Sequence, residues 1–398
     1  MERVLINEFE APVAGRANST LHAALRIVPL SALTRSDREN WNELGRHTGT
    51  ASIFAEPWFM RASLSNCDEA GRAMLAIVEG DGGEWLGALP VTRESRHGRN
   101  PMPNWSAWRH PNQFVGTPLV RQRRATEFWH GLIAGLGSAA PWNLALCLHD
   151  LPLDDPVNEA LLQLGAASEW RIEIDRRFER PRLLCAHGEA DPREALKPSH
   201  RRRIRSLERK LEREVGPLEL EVTREPERVA RRVEDFLELE HSGWKGRSGS
   251  ALASMQSTED FFRKVAREAA SRDQFEIASL SANGRVLAMS TQLIGRARAY
   301  GFKKAYDEAF ASFAPGVILL NRLTGHFCEE GHEDVDSCAM PGQQPVSRLW
   351  PDRRELIDCR VALGGALRGG LFAAMLGCEA MAARLSRSDR EAGSADTA

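Results

Sequence analysis

The 398-residue sequence lacks the motifs that would assign it to several common enzyme classes. It contains no G-x-S-x-G nucleophile motif, no P-loop and no dinucleotide-binding fingerprint, which disfavours a hydrolase, an NTPase and a dehydrogenase. It also has no lysine before Lys197, so the basic residues of its first half are arginines. An arginine- and alanine-rich chain often reflects a GC-rich genome, so this bias alone indicates little about function, although arginine is the better bidentate partner for phosphate.

The seven cysteines include no C-x-x-C pair. Scattered cysteines in odd number predict reduced thiols in a cytoplasmic protein, and they argue against a disulfide framework or a zinc site. His326 and His332 lie near several acidic residues, but their spacing fits no familiar zinc pattern. We therefore expect no metal cofactor.

Neither a strong net charge nor a long apolar run is present. The formal net charge of −2 argues against a DNA-binding protein and leaves only local patches for a polyanion. Met1–Thr20 carries charges without an apolar core, which predicts no signal peptide. Arg368 and Glu379 interrupt the apolar stretch Val361–Ala383, so it predicts a packed helix or a homodimer contact and no transmembrane segment.

Two similar stretches lie about two hundred residues apart. A hairpin is predicted for Ala73–Val78 with Glu84–Val91, and another for Phe275–Leu280 with Arg285–Ile294. In each half a further strand, a helix and another strand follow, an order typical of the α+β class with helices on a sheet. We interpret the two halves as duplicated units, each with a mixed, mostly antiparallel sheet.

Composition and prolines suggest where these units begin and end. Residues 1–24 are expected to be disordered or loosely packed, and residues 387–398 are expected to form a disordered polar tail. Residues 186–198, polar and with two prolines, are the predicted linker. The remaining predicted units are an N-terminal domain (25–185), a C-terminal domain (199–364) and a C-terminal helix (365–386).

Four segments of the second half resemble the CelD-like acyltransferases of the GNAT superfamily and, more distantly, the FemAB aminoacyltransferases. They are HRRRIRSLERKL (His200–Leu211), LEHSGWKGRSGSAL (Leu239–Leu252), AYDEAFASFAPGVILL (Ala305–Leu320) and DSCAMPGQQPVSRLWPDRREL (Asp336–Leu356). The resemblance implies tandem GNAT-like folds and transfer of an acyl group to an amine or hydroxyl. One departure is that the Q/R-x-x-G-x-G/A pyrophosphate loop of GNAT enzymes is replaced by Phe313–Gly316.

Two groups of residues are candidates for binding the phosphates of acyl-CoA. Pro315 and Gly316 would begin a helix, and a helix N-terminus can hold an anion through its free N–H groups. Arg201, Arg202 and Arg205 lie in a basic segment without acidic residues at helical spacing before them. The structural alternatives are an ordinary helix start and a solvated helix face.

Further candidates concern the acceptor and the proton. Trp244, Lys245 and Glu308 are candidate substrate-binding residues, as are Trp350 and Arg353 in a later loop. The alternatives are a tryptophan that anchors a loop and a structural Arg–Asp pair. Asp307 and Asp336, at predicted strand ends, are the rival general bases that would deprotonate an incoming amine.

These features lead to three functional hypotheses. The first is direct acyl transfer from acyl-CoA to a small molecule or a precursor of the cell envelope or of a polysaccharide. The second is an aminoacyl-tRNA-dependent transferase that binds tRNA through the basic helix. The third is an inactive GNAT-fold scaffold, for which the missing pyrophosphate loop is the argument. An open cleft beside Pro315 and Gly316 would favour an enzyme, and a filled one a scaffold.

Overall fold

The computed structural model of the chain describes residues 5–11, 21–168, 170–185, 191–340, 342, 344–365, 367–379 and 381. The elements of its first half are β1 (Leu5–Ala11), β2 (Leu21–Pro29), α1 (Arg35–Arg46), α2 (Pro57–Cys67), β3 (Met74–Glu79), β4 (Trp85–Glu94), β5 (Asn104–Ala107), β6 (Leu119–Val120), α3 (Ala125–Ala139), β7 (Ala145–Pro152), α4 (Pro156–Ala166) and β8 (Ile172–Leu184).

The second half has a related order of elements. They are α5 (Pro198–Val215), β9 (Glu219–Thr223), α6 (Pro226–Ser242), α7 (Trp244–Arg247), α8 (Gln256–Ala270), β10 (Phe275–Ala282), β11 (Arg285–Ile294), β12 (Ala299–Tyr306), α9 (Pro315–Glu329), β13 (Asp334–Asp336), α10 (Gln344–Leu349) and β14 (Asp352–Ala362). Residues 367–379 are helical as well, and Leu367 and Leu371 are exposed there.

The described strands form one continuous sheet. Its order is β1-β2-β3-β4-β5-β7-β14-β8-β13-β12-β11-β10-β9, with β6 paired to β4. Two pairs are parallel, β5 with β7 and β12 with β13, and the other pairs are antiparallel. Both predicted hairpins are present. The predicted α+β class, with a mixed, mostly antiparallel sheet flanked by helices, is thus confirmed.

The two halves exchange their last strands. β8, which ends the first half, pairs with β13 of the second half, and β14, which ends the second, pairs with β7 of the first. β8 and β14 also pair with each other along most of their length, from Ile172–Val361 to Arg182–Asp352. The sheet therefore runs without interruption from one half into the other.

The helices α6 and α9 pack on opposite faces of the second half. Helix α6 presents Val229, Val233, Phe236 and Leu237 at spacings of three and four residues, and this stripe is buried beside Phe302 of β12. Helix α9 buries Ile318, Leu319 and Leu323 in a separate cluster on the other face. Aromatic side chains of the first half, including Phe54 and Phe59, join the α6 cluster and hold the halves together.

Two expectations differ from the structure. Cys185 and Cys328 form a disulfide between the end of β8 and α9, although the sequence predicted reduced thiols throughout. These cysteines are 143 residues apart, so no local spacing could reveal that the fold brings them together. Leu5–Ala11, in a segment expected to be disordered or loosely packed, pairs with β2. The predicted tail, 387–398, and residues 186–190 of the predicted linker lie outside the described residues.

In the described part of the chain, none of the helices combines the length and the apolar character that a membrane-spanning segment needs.

Candidate functional site

Strand β12 diverges from its parallel neighbour after two residue pairs. β13 pairs with it only at Ala299–Val335 and Tyr300–Asp336. Thr291 of β11 pairs with Lys303 and the next residue, Gln292, pairs with Gly301, so Phe302 is an extra residue that forms a bulge. A bulge increases local twist and ends regular pairing. Among the described strands, none therefore pairs with the β13 side of β12 beyond Tyr300.

A cleft of about 310 Å³ lies beside this free end of β12. Residues of α9 and the loop before it line one side, and residues of α6 and α7 line the other. Because α6 and α9 cover opposite faces of the sheet, the cleft passes through the sheet where β12 and β13 separate. The sequence analysis associated an open cleft at this place with an enzyme and a filled one with a scaffold. The cleft is open, which favours an enzyme.

Pro315 and Gly316, which the sequence analysis named as candidates for binding the phosphates of acyl-CoA, line the cleft. Pro315 is the first residue of α9, where its missing N–H costs no helical hydrogen bond. Ala314 before it is left-handed, with φ of 53° and no side-chain cap. A β-carbon added at Gly316 would meet only Tyr306 Cδ1 at 3.8 Å, which shows that the helix end opens onto space. The partial positive charge of this end favours an anion.

Lys304 adds a positive side chain to the same part of the cleft. Solvent reaches this side chain, yet the cleft walls partly desolvate it. That desolvation, followed by the positive charge of Lys245, lowers the pKa of the Lys304 ammonium. An anion bound near Lys304 would offset both effects.

Glu240 and Lys245 form the polar part of the α6 side. Glu240 is only 3% exposed although it is a carboxylate on the apolar stripe of α6. Its Oε1 accepts a hydrogen bond from Lys245 Nζ at 2.6 Å, and its Oε2 accepts one from the Leu252 N–H at 2.8 Å. Lys245 Nζ also donates to the Lys304 carbonyl oxygen of β12 at 2.8 Å. The Glu240–Lys245 ion pair is therefore held next to β12, the strand that borders the cleft.

Trp244 and Lys245, two of the candidate substrate-binding residues, both line the cleft. Trp244 is 52% exposed and is the first residue of the short helix α7. Its backbone N–H donates to Glu308 Oε1 at 2.7 Å, and Arg247 pairs with Glu308 Oε2 at 2.6 Å. Glu308 is not among the residues that line the cleft. Its role in the structure is to fasten α7, and the substrate-binding role predicted for it receives no geometric support.

Lys303 occupies the α6 face between the cleft and the first half. Its ammonium donates to Asn112 Oδ1 and lies over the rings of Phe114 and Phe302, at 5.3 and 5.6 Å. Burial lowers the pKa of Lys303 to about 8, while the nearby Glu240 carboxylate opposes that shift. A lysine whose pKa is lowered in this way is a candidate for proton handling, although Lys303 is not among the residues that line the cleft.

Asp336, one of the two predicted bases, is enclosed and ion-paired. It is 0% exposed, and its Oδ2 lies 2.6 Å from both Arg180 Nη2 and Arg354 Nη1. Its other oxygen accepts the Cys338 N–H at 2.9 Å. Although desolvation acts in the opposite direction, the two guanidinium groups lower the pKa of Asp336 to about 2. Such a carboxylate is a poor proton acceptor at neutral pH and instead holds the exchanged strands together.

Asp307, the other predicted base, caps the short 3₁₀ helix Glu308–Phe313. Its Oδ1 accepts the Ala309 N–H at 2.9 Å, and its Oδ2 pairs with Arg285 at 2.6 Å. It is not among the residues that line the cleft. These contacts are those of a helix-capping residue, and they give no support to Asp307 as a general base in the cleft.

Trp350 and Arg353 lie away from the cleft. Trp350 is 2% exposed in the core of the second half, and its Nε1–H donates to Thr324 Oγ1 at 3.0 Å. Arg353 donates to carbonyl oxygens around the end of α10, including that of Trp350 at 2.7 Å. Both contacts are structural, which argues against the predicted substrate-binding roles.

Arg201, Arg202 and Arg205 are on α5, which packs beside α9, and none of them lines the cleft. Glu208 of α5 pairs with Arg322 of α9 at 2.5 Å, which ties the two helices together. Arg202 and Arg205 are exposed. The structure therefore places the predicted anion-binding arginines on a separate surface from the predicted helix N-terminus.

Sequence reasoning missed Glu240, Lys303 and Lys304. For Glu240 a signal existed, because a glutamate that continues an apolar helical stripe is a buried carboxylate in need of a partner. Lys303 and Lys304 gave no such signal. As consecutive strand residues they point to opposite faces of the sheet, but the position of the cleft depends on where β12 separates from β13.

Three comparisons with known proteins bear on this site. Residues 198–345, a little over a third of the chain, match the family model described as an acetyltransferase (GNAT) domain. No curated protein matches the sequence.

Among solved structures, a conserved protein of unknown function from Bacteroides thetaiotaomicron VPI-5482 is similar, with a TM-score of 0.51 and 10% identity over 85% of this chain and 100% of that one. FemX is similar with a TM-score of 0.51 and 9% identity over 85% and 98% of the two chains. A tandem GNAT protein from the clavulanic acid biosynthesis pathway matches with a TM-score of 0.41 and 17% identity over 86% and 99%.

At these identities the structural likeness concerns the fold, whereas the family match concerns the second half itself. The cleft, the helix end at Pro315 and the pair Glu240–Lys245 all lie within the matched residues. The match to an acetyltransferase (GNAT) domain over residues 198–345 therefore supports acyltransferase activity for this part of the chain.

Proposed function

We propose that the protein transfers an acyl group from acyl-CoA to an amine or hydroxyl of a small molecule or of a precursor of the cell envelope or a polysaccharide. The observation that carries this proposal is the cleft that passes through the sheet beside β12. Two substrates can enter it from opposite faces and meet at the free edge of the strand. Such placement alone lowers the barrier of a two-substrate reaction.

The α9 side fits the donor. The diphosphate of coenzyme A would lie at the N-terminus of α9, where Gly316 leaves space and Lys304 adds positive charge. The amides of the thioester arm would find hydrogen-bond partners along the unpaired edge of β12. Backbone N–H groups of the same edge would stabilise the negative charge that develops on the carbonyl oxygen.

The α6 side fits the acceptor and its proton. The acceptor nitrogen or oxygen attacks the thioester carbonyl, its bond to the carbonyl carbon forms, and the carbon–sulfur bond then breaks. The proton that the acceptor loses passes to the hydrogen-bonded Glu240–Lys245 pair, directly or through water, and the leaving thiolate takes up a proton. We assign this role to Glu240 because it is the buried carboxylate that lines the cleft, unlike Asp307 and Asp336.

Thermal unfolding with free coenzyme A and acetyl-CoA tests the donor site. A saturable rise in Tm is expected, because a ligand that binds only the folded state stabilises it. Gly316→Glu should abolish the rise by placing a carboxylate at the helix end. Asn321→Glu, which adds the same charge on α9 away from the cleft, should retain it. If neither thioester nor free coenzyme A shifts the Tm at millimolar concentration, the proposal is wrong.

A second candidate is aminoacyl-tRNA-dependent transfer. The observation that favours it is the surface of α5, on which Arg202, Arg203, Arg205, Arg209 and Arg213 are exposed. Such a surface can neutralise phosphates, and binding to it would weaken steeply with salt. Binding of tRNA that is lost on substitution of Arg202 and Arg205 by glutamine, with no response to coenzyme A, would favour this candidate.

A further inference from the structure

The walls of the cleft are mostly hydrocarbon. On the α9 side, Leu319, Leu320 and Leu323 face it, and on the α6 side Leu239 and Met289 do so. An acetyl group offers a single methyl to these walls. A cavity of about 310 Å³ lined in this way is larger and more apolar than an acetyl group uses.

The charged groups of the cleft are accounted for by the reaction. Lys304 and the N-terminus of α9 fit the phosphates, the unpaired edge of β12 fits the thioester arm, and Glu240 with Lys245 fits the acceptor. The leucines and Met289 offer no hydrogen-bond partner. A polar group placed against them would lose its hydrogen bonds to water without replacement, which costs affinity.

The apolar surface on the α6 side begins at β12 itself. Met289 of β11 and Ala305 of β12 are directly opposite each other in the sheet, and both belong to the cluster on the α6 face. Leu239 of α6 and the exposed ring of Trp244 extend this surface towards the mouth. A chain attached to a carbonyl carbon held at the edge of β12 would meet the Met289–Ala305 floor first.

We propose that the transferred group is a medium-length hydrocarbon acyl chain, carried as a fatty acyl thioester, which lies on the floor of Met289 and Ala305 beneath Leu239. This inference rests on the proposed function, since it concerns the donor of the same reaction. Its physical basis is that each methylene moved from water onto the apolar floor strengthens binding about fourfold.

The test measures the affinity of the full chain for acetyl-, butanoyl-, hexanoyl- and octanoyl-CoA by titration calorimetry. We expect butanoyl-CoA to bind roughly fifteenfold more tightly than acetyl-CoA, because two methylenes are added, and we expect the gain to stop once the floor is covered. Leu239→Trp should fill part of the space and remove the gain for the longer chains. Glu238→Trp, which adds the same ring at the neighbouring exposed position, should leave it unchanged.

The outcomes separate this inference from the proposed function. Equal affinity for all four thioesters, or tightest binding of acetyl-CoA, overturns the inference and leaves acyl transfer standing. If no thioester and no free coenzyme A binds, the proposed function fails and the inference falls with it. If Leu239→Trp does not fold, as judged by its circular dichroism, the chain-length series on the unaltered protein decides by itself.

Discussion

The two halves of the molecule use one framework, yet their central strands, β5 and β12, differ in length and in pairing. In the first half β5 has four residues, three of which pair with β7. In the second half β12 has eight residues, two of which pair with β13. The cavity at the end of β5 measures about 20 Å³, and there Trp108 stacks on His110. The longer and less paired β12 thus borders a cleft, whereas the side chains of Trp108 and His110 pack beside the end of the shorter β5.

The glycines of the two corresponding helices show the same difference. A β-carbon on Gly135 of α3 would approach Leu25 Cβ to 2.4 Å, so this helix packs tightly on β2. A β-carbon on Gly316 of α9 would meet one atom at 3.8 Å. The middle of α3 is therefore closely packed on β2, whereas the first turn of α9 leaves space where a ligand would bind.

The largest effect on stability is expected where β8, β13 and β14 join the two halves. Asp336→Ala leaves the buried guanidinium groups of Arg180 and Arg354 without their shared carboxylate, which should lower the free energy of unfolding by about 3–5 kcal/mol. Asp307→Ala, at the other predicted base, removes a cap and a partly exposed pair and should cost roughly 1 kcal/mol. Urea unfolding measures both. Equal losses would contradict the distinction.

A smaller effect concerns Lys303, which joins the second half to Asn112 and Phe114 of the first. Its pKa falls from 10.5 to about 8 on folding, so between these values the unfolded chain binds more protons. Stability should therefore rise as pH increases from 8 to 10.5, by up to about 3 kcal/mol. Lys303→Met should remove this rise, which unfolding at pH 7.5 and pH 10 would detect. A variant with the same pH dependence as the unaltered protein would show that Lys303 is not the group involved.

The smallest effect comes from one substitution made in both halves. Gly135→Ala should destabilise the protein by about 1–3 kcal/mol, because the added methyl overlaps Leu25. Gly316→Ala should change stability by less than about 0.5 kcal/mol, because space is available there. The difference in thermal unfolding between the two variants tests whether α3 is closed where α9 is open. Similar losses of stability in the two variants would contradict this difference between α3 and α9.

Local sequence patterns were sufficient for elements with a strong period or turn. Asp81-Gly82-Gly83 and Asn283-Gly284 mark the hairpin turns, and Gly83, Asn283 and Gly284 have positive φ as such turns require. The stripe of α6 from Val229 to Leu237 packs as its spacing predicts. Pro315 begins α9 as expected. Each of these features depends on residues close together in the chain.

The site could be predicted only in part. Pro315, Gly316, Trp244 and Lys245 line one cleft, as the resemblance to GNAT enzymes suggested. Trp350, Arg353 and Asp336 have the residue types of a functional site, but their partners are structural and come from elsewhere in the chain. Residue type alone cannot separate a buried ion pair from a general base, because the difference is in the partners and the surrounding dielectric.

By itself the sequence determined the α+β class, the two hairpins, the amphipathic helices and the helix start at Pro315, because short-range periodicity and turn chemistry specify them. Only the tertiary structure decided the exchange of β8 and β14, the Cys185–Cys328 disulfide and the burial of Asp336 between Arg180 and Arg354. It also decided that Glu240 faces an open cleft. These features join residues that are far apart in the chain, so they depend on how strands pair and on which face each helix covers.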